Sequence, residues 1–189
     1  MNDLPDLYKE AMNLREVYLG IAIKGMYSKL STDEKDLVID YLEEVTFWRY
    51  TDLYTLHLSL KWLELPQISF IIEGVFLSNS EVFNSLEHRN RVTHIICHAS
   101  MIYASKGYAE ISQHLLSYVL DKDYKHTMFT KNLVDFYTGF WESEYGEKEK
   151  GIKSMKRALD IFDSLSFPGI SNYYNRLYEK YSISKYLLK

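Results

Sequence analysis

The sequence has few of the residues that break helices or crosslink chains. Among its 189 residues there are three prolines, eight glycines and one cysteine. So few breakers argue against a β-sandwich, which needs many tight turns, and favour long helices. The single cysteine, Cys97, excludes an intramolecular disulfide and a cysteine-based zinc knuckle.

Long uncharged runs and a secretion signal are also missing. No uncharged stretch reaches the roughly 18 residues that a membrane span requires. Asp3, Asp6 and Lys9 interrupt the N-terminal region where a signal peptide would need an apolar run. We therefore expect a soluble, cytoplasmic protein that does not contact a membrane.

An excess of basic charge is absent as well. The formal net charge is −4, and it is unevenly distributed, since residues 1–64 hold 12 acids and 7 bases. The other 125 residues hold 14 acids and 15 bases. Neither part has the basic footprint of a nucleic-acid-binding protein, so we expect no direct DNA binding by the chain as given. The chain is rich in tyrosine, with 17 residues, and this side chain suits half-buried grooves and interfaces.

The stretch 92–105 is uncharged and reads as a helix with two faces. One stripe, at core spacing, consists of Ile95, Ala99 and Ile102. The other stripe combines polar and soft side chains at i, i+3, i+4 and i+7: His94, Cys97, His98 and Met101. A helix without charge on either face is not typical of an open surface. We predict an inner helix whose first stripe lies in the core and whose second stripe lines a concavity.

A helix from about Trp48 to Leu63 repeats this design. Its core stripe would be made of four leucines, Leu53, Leu56, Leu60 and Leu63. Its other face carries Tyr50, Tyr54, His57 and Lys61. Lys61 has two interpretations. It is either a solvated lysine or, if this face lines the concavity, a cation placed to meet a carboxylate.

Other segments complete a chain of helices. We expect one helix over 4–28, a second opened by a capping box of Ser31 and Glu34, and a fourth starting near Pro66. Residues 85–90 read as a turn. Later apolar stripes predict helices over 111–120, 133–144 and 152–162.

The helix pairs resemble one another, and the stretch 139–159 is similar to a tetratricopeptide repeat. Small residues stand at Gly139, Gly151 and Ala158, and Gly146 is placed for a turn with positive φ. When the same pattern is shifted back by 39 residues, so that Gly146 falls on Gly107, residues of matching type stand at the corresponding positions. They are Ser100, Gly107, Ser112, Leu116 and Val119. The prediction is an all-α protein, a right-handed solenoid of tetratricopeptide-like helix pairs forming a single helical-repeat domain over residues 1–189.

The C-terminal segment is rich in tyrosine, and we predict that it caps the solenoid and contributes to a homodimer interface, where aromatic residues are enriched. These tyrosines are Tyr173, Tyr174, Tyr178, Tyr181 and Tyr186.

Motifs for catalysis are not found. His94 and His98 have the i, i+4 spacing of the HExxH zinc motif but lack its glutamate, so two groove-lining histidines are favoured over metal ligands. No glycine-rich phosphate loop or nucleophile elbow is present. We expect no enzyme, no cofactor and no metal. Phe136 and Phe140 have two interpretations of equal weight: core residues, or the apolar floor of a groove.

Several segments together resemble the C-terminal domain of the Rgg/GadR/MutR transcriptional regulators. They are Asp40-Tyr41-Leu42 with Trp48, Tyr50 and Asp52, then Gly139-Phe140 through Gly146, and Ala158-Leu159-Asp160-Ile161-Phe162. The resemblance spans about residues 14–181. No helix-turn-helix motif precedes these segments. In that family such a motif precedes a tetratricopeptide-like domain that dimerises and binds short signalling peptides on its concave face.

The resemblance implies a regulatory domain that binds a short signalling peptide and forms a homodimer. It places Lys61 where some members carry a peptide-contacting arginine, and His98 where peptide-sensing members often carry an asparagine. The expected peptide-binding residues are Tyr50, Tyr54, His57, Lys61, His94, His98, Met101, Phe136 and Phe140. The alternative is a protein–protein scaffold or dimerisation module of the same fold without a peptide ligand, its groove filled by its own aromatic residues.

Overall fold

The computed structural model describes residues 4–14, 16–78, 85–121, 126–165 and 168–183. Every regular element in these ranges is helical, which confirms the all-α prediction. The helices are α1 (Leu4–Asn13), α2 (Val17–Lys24), α3 (Thr32–Glu44), α4 (Tyr50–Ser59), α5 (Leu65–Ser78), α6 (Leu86–Ser105), α7 (Ala109–Asp121), α8 (Met128–Tyr145), α9 (Lys148–Ser164) and α10 (Pro168–Tyr178), and a π-helical turn, Glu179–Ile183, follows α10. In the described part, no helix is both long and apolar enough to cross a membrane.

The chain divides into two compact units, Met1–Ile95 and Ile96–Lys189. In the first unit α2 packs against α1, α3 and α4, and α3 packs against α5. The predicted leucine stripe of α4 lies in the core of this unit, with Leu53 and Leu56 fully buried. The helix itself is shorter than predicted, since it ends at Ser59 and a turn follows. The prediction of one domain over residues 1–189, and of a right-handed solenoid, stays a prediction.

The expected single helix over 4–28 is wrong, because the chain forms two helices there. α1 and α2 pack on each other, and their approach is close at Gly20. A Cβ on Gly20 would lie 2.9 Å from the sulfur of Met12. The apolar spacing of this region therefore reflects two short helices that bury their faces against one another.

Local side-chain capping is seen at the starts of several helices, among them α3 and α6. Ser31 and Glu34 form the predicted capping box at the start of α3, with the Glu34 amide donating to the Ser31 hydroxyl at 3.2 Å. The turn predicted over 85–90 is wrong, because α6 begins at Leu86. Ser85 caps that helix by accepting a hydrogen bond from the His88 amide at 3.1 Å. The polar residues that suggested a turn instead start the longest helix described.

In the second unit, α8 and α9 meet at two glycines, as the repeat pattern predicts. A Cβ on Gly139 would lie 2.9 Å from the carbonyl oxygen of Gly151. A Cβ on Gly151 would lie 2.3 Å from the backbone nitrogen of Ser143. Neither position has room for a side chain, so backbone packs directly on backbone at this crossing.

The helix pair one register earlier, α6 and α7, meets at the corresponding serines. The hydroxyl of Ser100 lies 2.9 Å from that of Ser112 and donates to the Ser112 carbonyl oxygen at 3.1 Å. Both hydroxyls are buried. Of the two turn glycines, Gly107 has the predicted positive φ of 94°. The prediction is wrong for Gly146, whose φ is −119°.

The C-terminal helix α10 packs on α9, and its central tyrosine belongs to the core of the second unit. The ring of Tyr174 is buried and stacks on Phe162 at 4.4 Å between centroids. Tyr173, Tyr178 and Tyr181 are partly buried, and Tyr186 lies outside the described residues. The segment thus covers α9 within its own chain, while its role in a homodimer stays a prediction.

Candidate functional site

In the first unit, an arginine of α6 lies over the tyrosines of α4. The guanidinium carbon of Arg91 is 4.4 Å from the ring centroid of Tyr54 and 5.5 Å from that of Tyr50. Arg91 also donates a hydrogen bond of 3.0 Å to the Tyr50 hydroxyl. No carboxylate pairs with Arg91 in the part of the chain that the structure describes. Aromatic faces hold its charge in place.

Two histidines continue this cluster along α4 and α6. The rings of His57 and His94 lie 4.3 Å apart and are tilted by 48°. His57 is buried at 9% exposure, whereas His94 is partly exposed. We call Tyr50, Tyr54, His57, Arg91 and His94 the arginine–aromatic cluster. Four of its five members are predicted site residues, and the structure brings them together.

Lys61 lies in the turn after α4 and is exposed. Its ammonium group donates a hydrogen bond to the carbonyl oxygen of Gly25, the residue that ends α2. A cation at this point interacts favourably with the negative end of the helix dipole. In the structure, Lys61 therefore stabilises the end of α2.

The second stripe of α6 is buried where it enters the second unit. His98 is 7% exposed, and Cys97 and Met101 are not exposed at all. The core stripe of Ile95, Ala99 and Ile102 is buried as predicted. Burial raises the pKa of the Cys97 thiol, so this cysteine stays protonated and unreactive.

Phe136 and Phe140 of α8 are also buried, at 0% and 1% exposure. The ring of Phe136 contacts Tyr174 at 5.4 Å, and that of Phe140 contacts Tyr181 at 5.8 Å. Of the two interpretations of these residues, the structure shows the core. Aromatic side chains from the chain's own C-terminal segment cover them.

Burial of His98 gives a testable pH dependence of stability. Burial, together with the charge of Lys180, lowers the pKa of His98 from 6.5 to about 4. The unfolded chain then binds a proton between these two pH values that the folded chain does not, so stability falls as the pH drops through this window. We expect His98 to account for a loss of about 2.5 kcal/mol between pH 7 and pH 4.5.

Urea unfolding at several pH values measures this loss. The variant His98→Leu should show a pH slope smaller than that of the wild type between pH 6.5 and 4.5. The exposed histidine His114 of α7 provides the control, and His114→Gln should keep the wild-type slope. Equal slopes for His98→Leu and the wild type would contradict the assignment.

The arginine of the cluster is the residue that sequence reasoning missed. Arg91 stands at i, i+3 and i+7 with His94 and His98, so the polar stripe of α6 extends one turn further back. Arg91 was missed for two reasons. Its partner Tyr50 is 41 residues away in the chain, and a charged residue on a helix is usually expected to face solvent. The helical spacing of Arg91 with His94 and His98 was the signal that could have identified it as a site residue.

The chemistry of the cluster suits binding rather than catalysis. It offers an arginine fork and aromatic faces, which recognise carboxylates, carbonyl oxygens and apolar groups. Among the described residues, no group of three or more His, Cys, Asp or Glu could hold a metal ion.

Comparisons with known proteins place the chain in a family. The fold is similar to the SHP pheromone receptor Rgg2 of Streptococcus dysgalactiae (TM-score 0.75, 18% identity, 94% of this chain and 70% of that one). It is also similar to a candidate transcriptional regulator from Listeria monocytogenes EGD-e (TM-score 0.72, 15% identity, 96% of this chain and 68% of that one). No curated protein matches the sequence. The family model described as "HTH-type transcriptional regulator Rgg, C-terminal domain" matches residues 2–176, and the chain therefore belongs to the Rgg family of transcriptional regulators as its C-terminal domain.

Proposed function

We propose that this domain senses a short signalling peptide and that the peptide binds at the arginine–aromatic cluster of the first unit. The observation that carries the proposal is Arg91, a partly buried cation held over Tyr54 at 4.4 Å with no carboxylate partner among the described residues. The similar fold of a protein described as a pheromone receptor supports a peptide as the ligand.

The cluster offers a peptide two kinds of contact. The fork of Arg91 can bind a carboxylate of the peptide with two parallel hydrogen bonds. The rings of Tyr50, Tyr54 and His94 provide half-exposed aromatic surface for apolar side chains, while their polar atoms can bond the peptide backbone. Such a site favours a short, partly hydrophobic peptide that carries at least one carboxylate.

Removal of the Arg91 guanidinium should weaken peptide binding by one to two decades. A hydrogen bond to a charged group contributes about 1.5–3 kcal/mol, and 1.4 kcal/mol corresponds to tenfold in affinity. Calorimetry with short, partly hydrophobic synthetic peptides that carry one carboxylate measures the effect in Arg91→Ala. Arg91→Lys should recover part of the affinity, since it restores the charge but not the fork.

Lys150, an exposed lysine of α9, supplies the control, and Lys150→Ala should bind like the wild type. The loss in Arg91→Ala should shrink at high salt, because salt screens a charge pair that is still partly open to solvent. Equal peptide affinities for Arg91→Ala and Lys150→Ala would refute the role of the cluster.

Five other residues were predicted to bind the peptide, and some of them would first have to give up contacts that they make in the structure. These five are Lys61, His98, Met101, Phe136 and Phe140. Lys61 would have to leave the Gly25 carbonyl to meet a peptide carboxylate. Phe136 and Phe140 would have to lose their contacts with the rings of α10 and the turn after it. We therefore expect Arg91 to contribute more to affinity than any of these five.

A second candidate function is a protein–protein or dimerisation module without a peptide ligand. The packing of Phe136 and Phe140 under the chain's own tyrosines favours it, because a filled groove leaves no place for a peptide there. Sedimentation at micromolar concentration tests for a homodimer. A dimer that binds none of the peptides would support this alternative, and a monomer that binds one would support sensing alone.

A further inference from the structure

An apolar cleft opens on the first unit, apart from the arginine–aromatic cluster. It has a volume of about 310 Å³ and lies between the end of α3, the segment that follows it, and α5. Its apolar lining residues are Leu42, Val45, Trp48, Phe70 and Ile71, and two acids, Glu43 and Glu73, complete the lining together with Gly74. A volume at the lower end of the range for ligand pockets suits one or two apolar side chains better than a cofactor.

Gly74 keeps the cleft open on the side of α5. Glycine inside a helix is less favourable than alanine, so its presence there calls for a structural reason. At Gly20, Gly139 and Gly151 the reason is a neighbouring helix or side chain closer than 3 Å. A Cβ on Gly74 would meet nothing within 4 Å in the described part of the chain. Among the described residues, no close contact at the Cβ position explains this glycine.

The surface beside the cleft is acidic and carries exposed aromatic rings. α3 holds six acids and one base. Its exposed carboxylates recur at helical spacing: Asp36, Asp40, Glu43 and Glu44. None of the four forms an ion pair within the described residues. The nearby rings of Phe47 and Phe70 are 63% and 59% exposed.

We propose that this cleft docks a basic segment of a partner protein whose apolar side chain anchors in it. Charge complementarity selects the partner, because like charges at i, i+4 on α3 repel one another until cations lie between them. The anchor side chain would fill the space beside Gly74 and bury the ring of Phe70. This docking site lies on α3 and α5, whereas the proposed peptide site lies on α4 and α6.

A short basic peptide serves as the probe. Acetyl-Lys-Lys-Leu-Phe-Lys-Lys-amide is titrated into the full chain, and the indole N–H resonances of the three tryptophans are followed by NMR. Trp48 lines the cleft, so its resonance should shift and saturate. Trp62 and Trp141, which do not line it, should move little. A matched peptide with Ser-Ser in place of Leu-Phe should bind at least tenfold more weakly.

Two variants separate the anchor from the charges. Gly74→Leu should reduce affinity for the probe at least tenfold without lowering the melting temperature, since no described atom lies within 4 Å of the added Cβ. Glu43→Gln with Glu73→Gln should reduce it about fivefold at low salt. Gly169→Leu, at a glycine of the second unit that also faces open space, should bind like the wild type. Arg91→Ala should also leave probe binding unchanged.

The proposal is overturned if the Trp48 resonance stays unmoved at millimolar probe. It is also overturned if the serine peptide binds as well as the leucine–phenylalanine peptide, because binding then needs charge alone. Equal affinity of the probe for Gly74→Leu and the wild type would show that the cleft is not the site.

Discussion

Replacement of Gly151 by alanine should destabilise the second unit by about 3 kcal/mol or more, as expected for overpacking against atoms that cannot yield. The new Cβ would lie 2.3 Å from the backbone nitrogen of Ser143 and 2.5 Å from the carbonyl oxygen of Gly139. Both atoms belong to the backbone of α8, so no side chain can rotate away. α8 and α9 would have to separate along their contact, and the core around Met155 and Phe162 would loosen.

Urea unfolding followed by circular dichroism measures this loss, and Gly74→Ala supplies the matched control. It makes the same chemical change inside a helix, at a position where no described atom lies within 4 Å of the Cβ. There the gain in helix propensity should stabilise the chain by about 0.5–1 kcal/mol. A Gly151→Ala variant within 1 kcal/mol of the wild type would show that the two helices can move apart at little cost.

The sequence predicted those features of the fold that depend on residues close in the chain or on a repeated register. The capping box at Ser31 needs only the residue three positions on. The register of 39 residues predicted both the glycine crossing at Gly139 and the serine crossing at Ser100. The division into α1 and α2 was missed because the contact of Gly20 with Met12 is made only after the chain has turned.

The candidate site was also predicted only in those features that follow from local helical spacing. Helical spacing placed Tyr50, Tyr54 and His57 on one face of α4, where the structure has them together. Spacing could not tell which end of a stripe is covered. His98 carries the same side chain as His94, yet only His98 is buried. Lys180, in the turn after α10, acts on His98 through its charge, and no local pattern on α6 indicates that this distant segment lies nearby.

One part of the family resemblance, Tyr41 with Asp52, has a physical explanation. The Asp52 carboxylate is 2% exposed and accepts hydrogen bonds from the Tyr41 hydroxyl and from Arg49. The Arg49 amide donates to it at 2.8 Å and the guanidinium at 2.8 Å and 3.1 Å. Burial and the neighbouring carboxylate raise the pKa of Tyr41 to about 12, which keeps its phenol a donor. One carboxylate thus caps α4 and ties it to α3.

Asp52→Ala should therefore destabilise the first unit by about 2–4 kcal/mol, because it removes the cap and leaves the Tyr41 hydroxyl and the Arg49 amide without their acceptor. The range stays below that of a fully buried ion pair, since the side chain of Arg49 is 52% exposed. Asp40→Ala, which removes an exposed aspartate of α3, should change stability by less than about 0.5 kcal/mol. A double-mutant cycle with Tyr41→Phe, read by urea unfolding, should give a coupling energy of about 1 kcal/mol or more between the two side chains. Additive effects of the two substitutions would mean that Asp52 acts through the cap alone and does not hold α3 to α4.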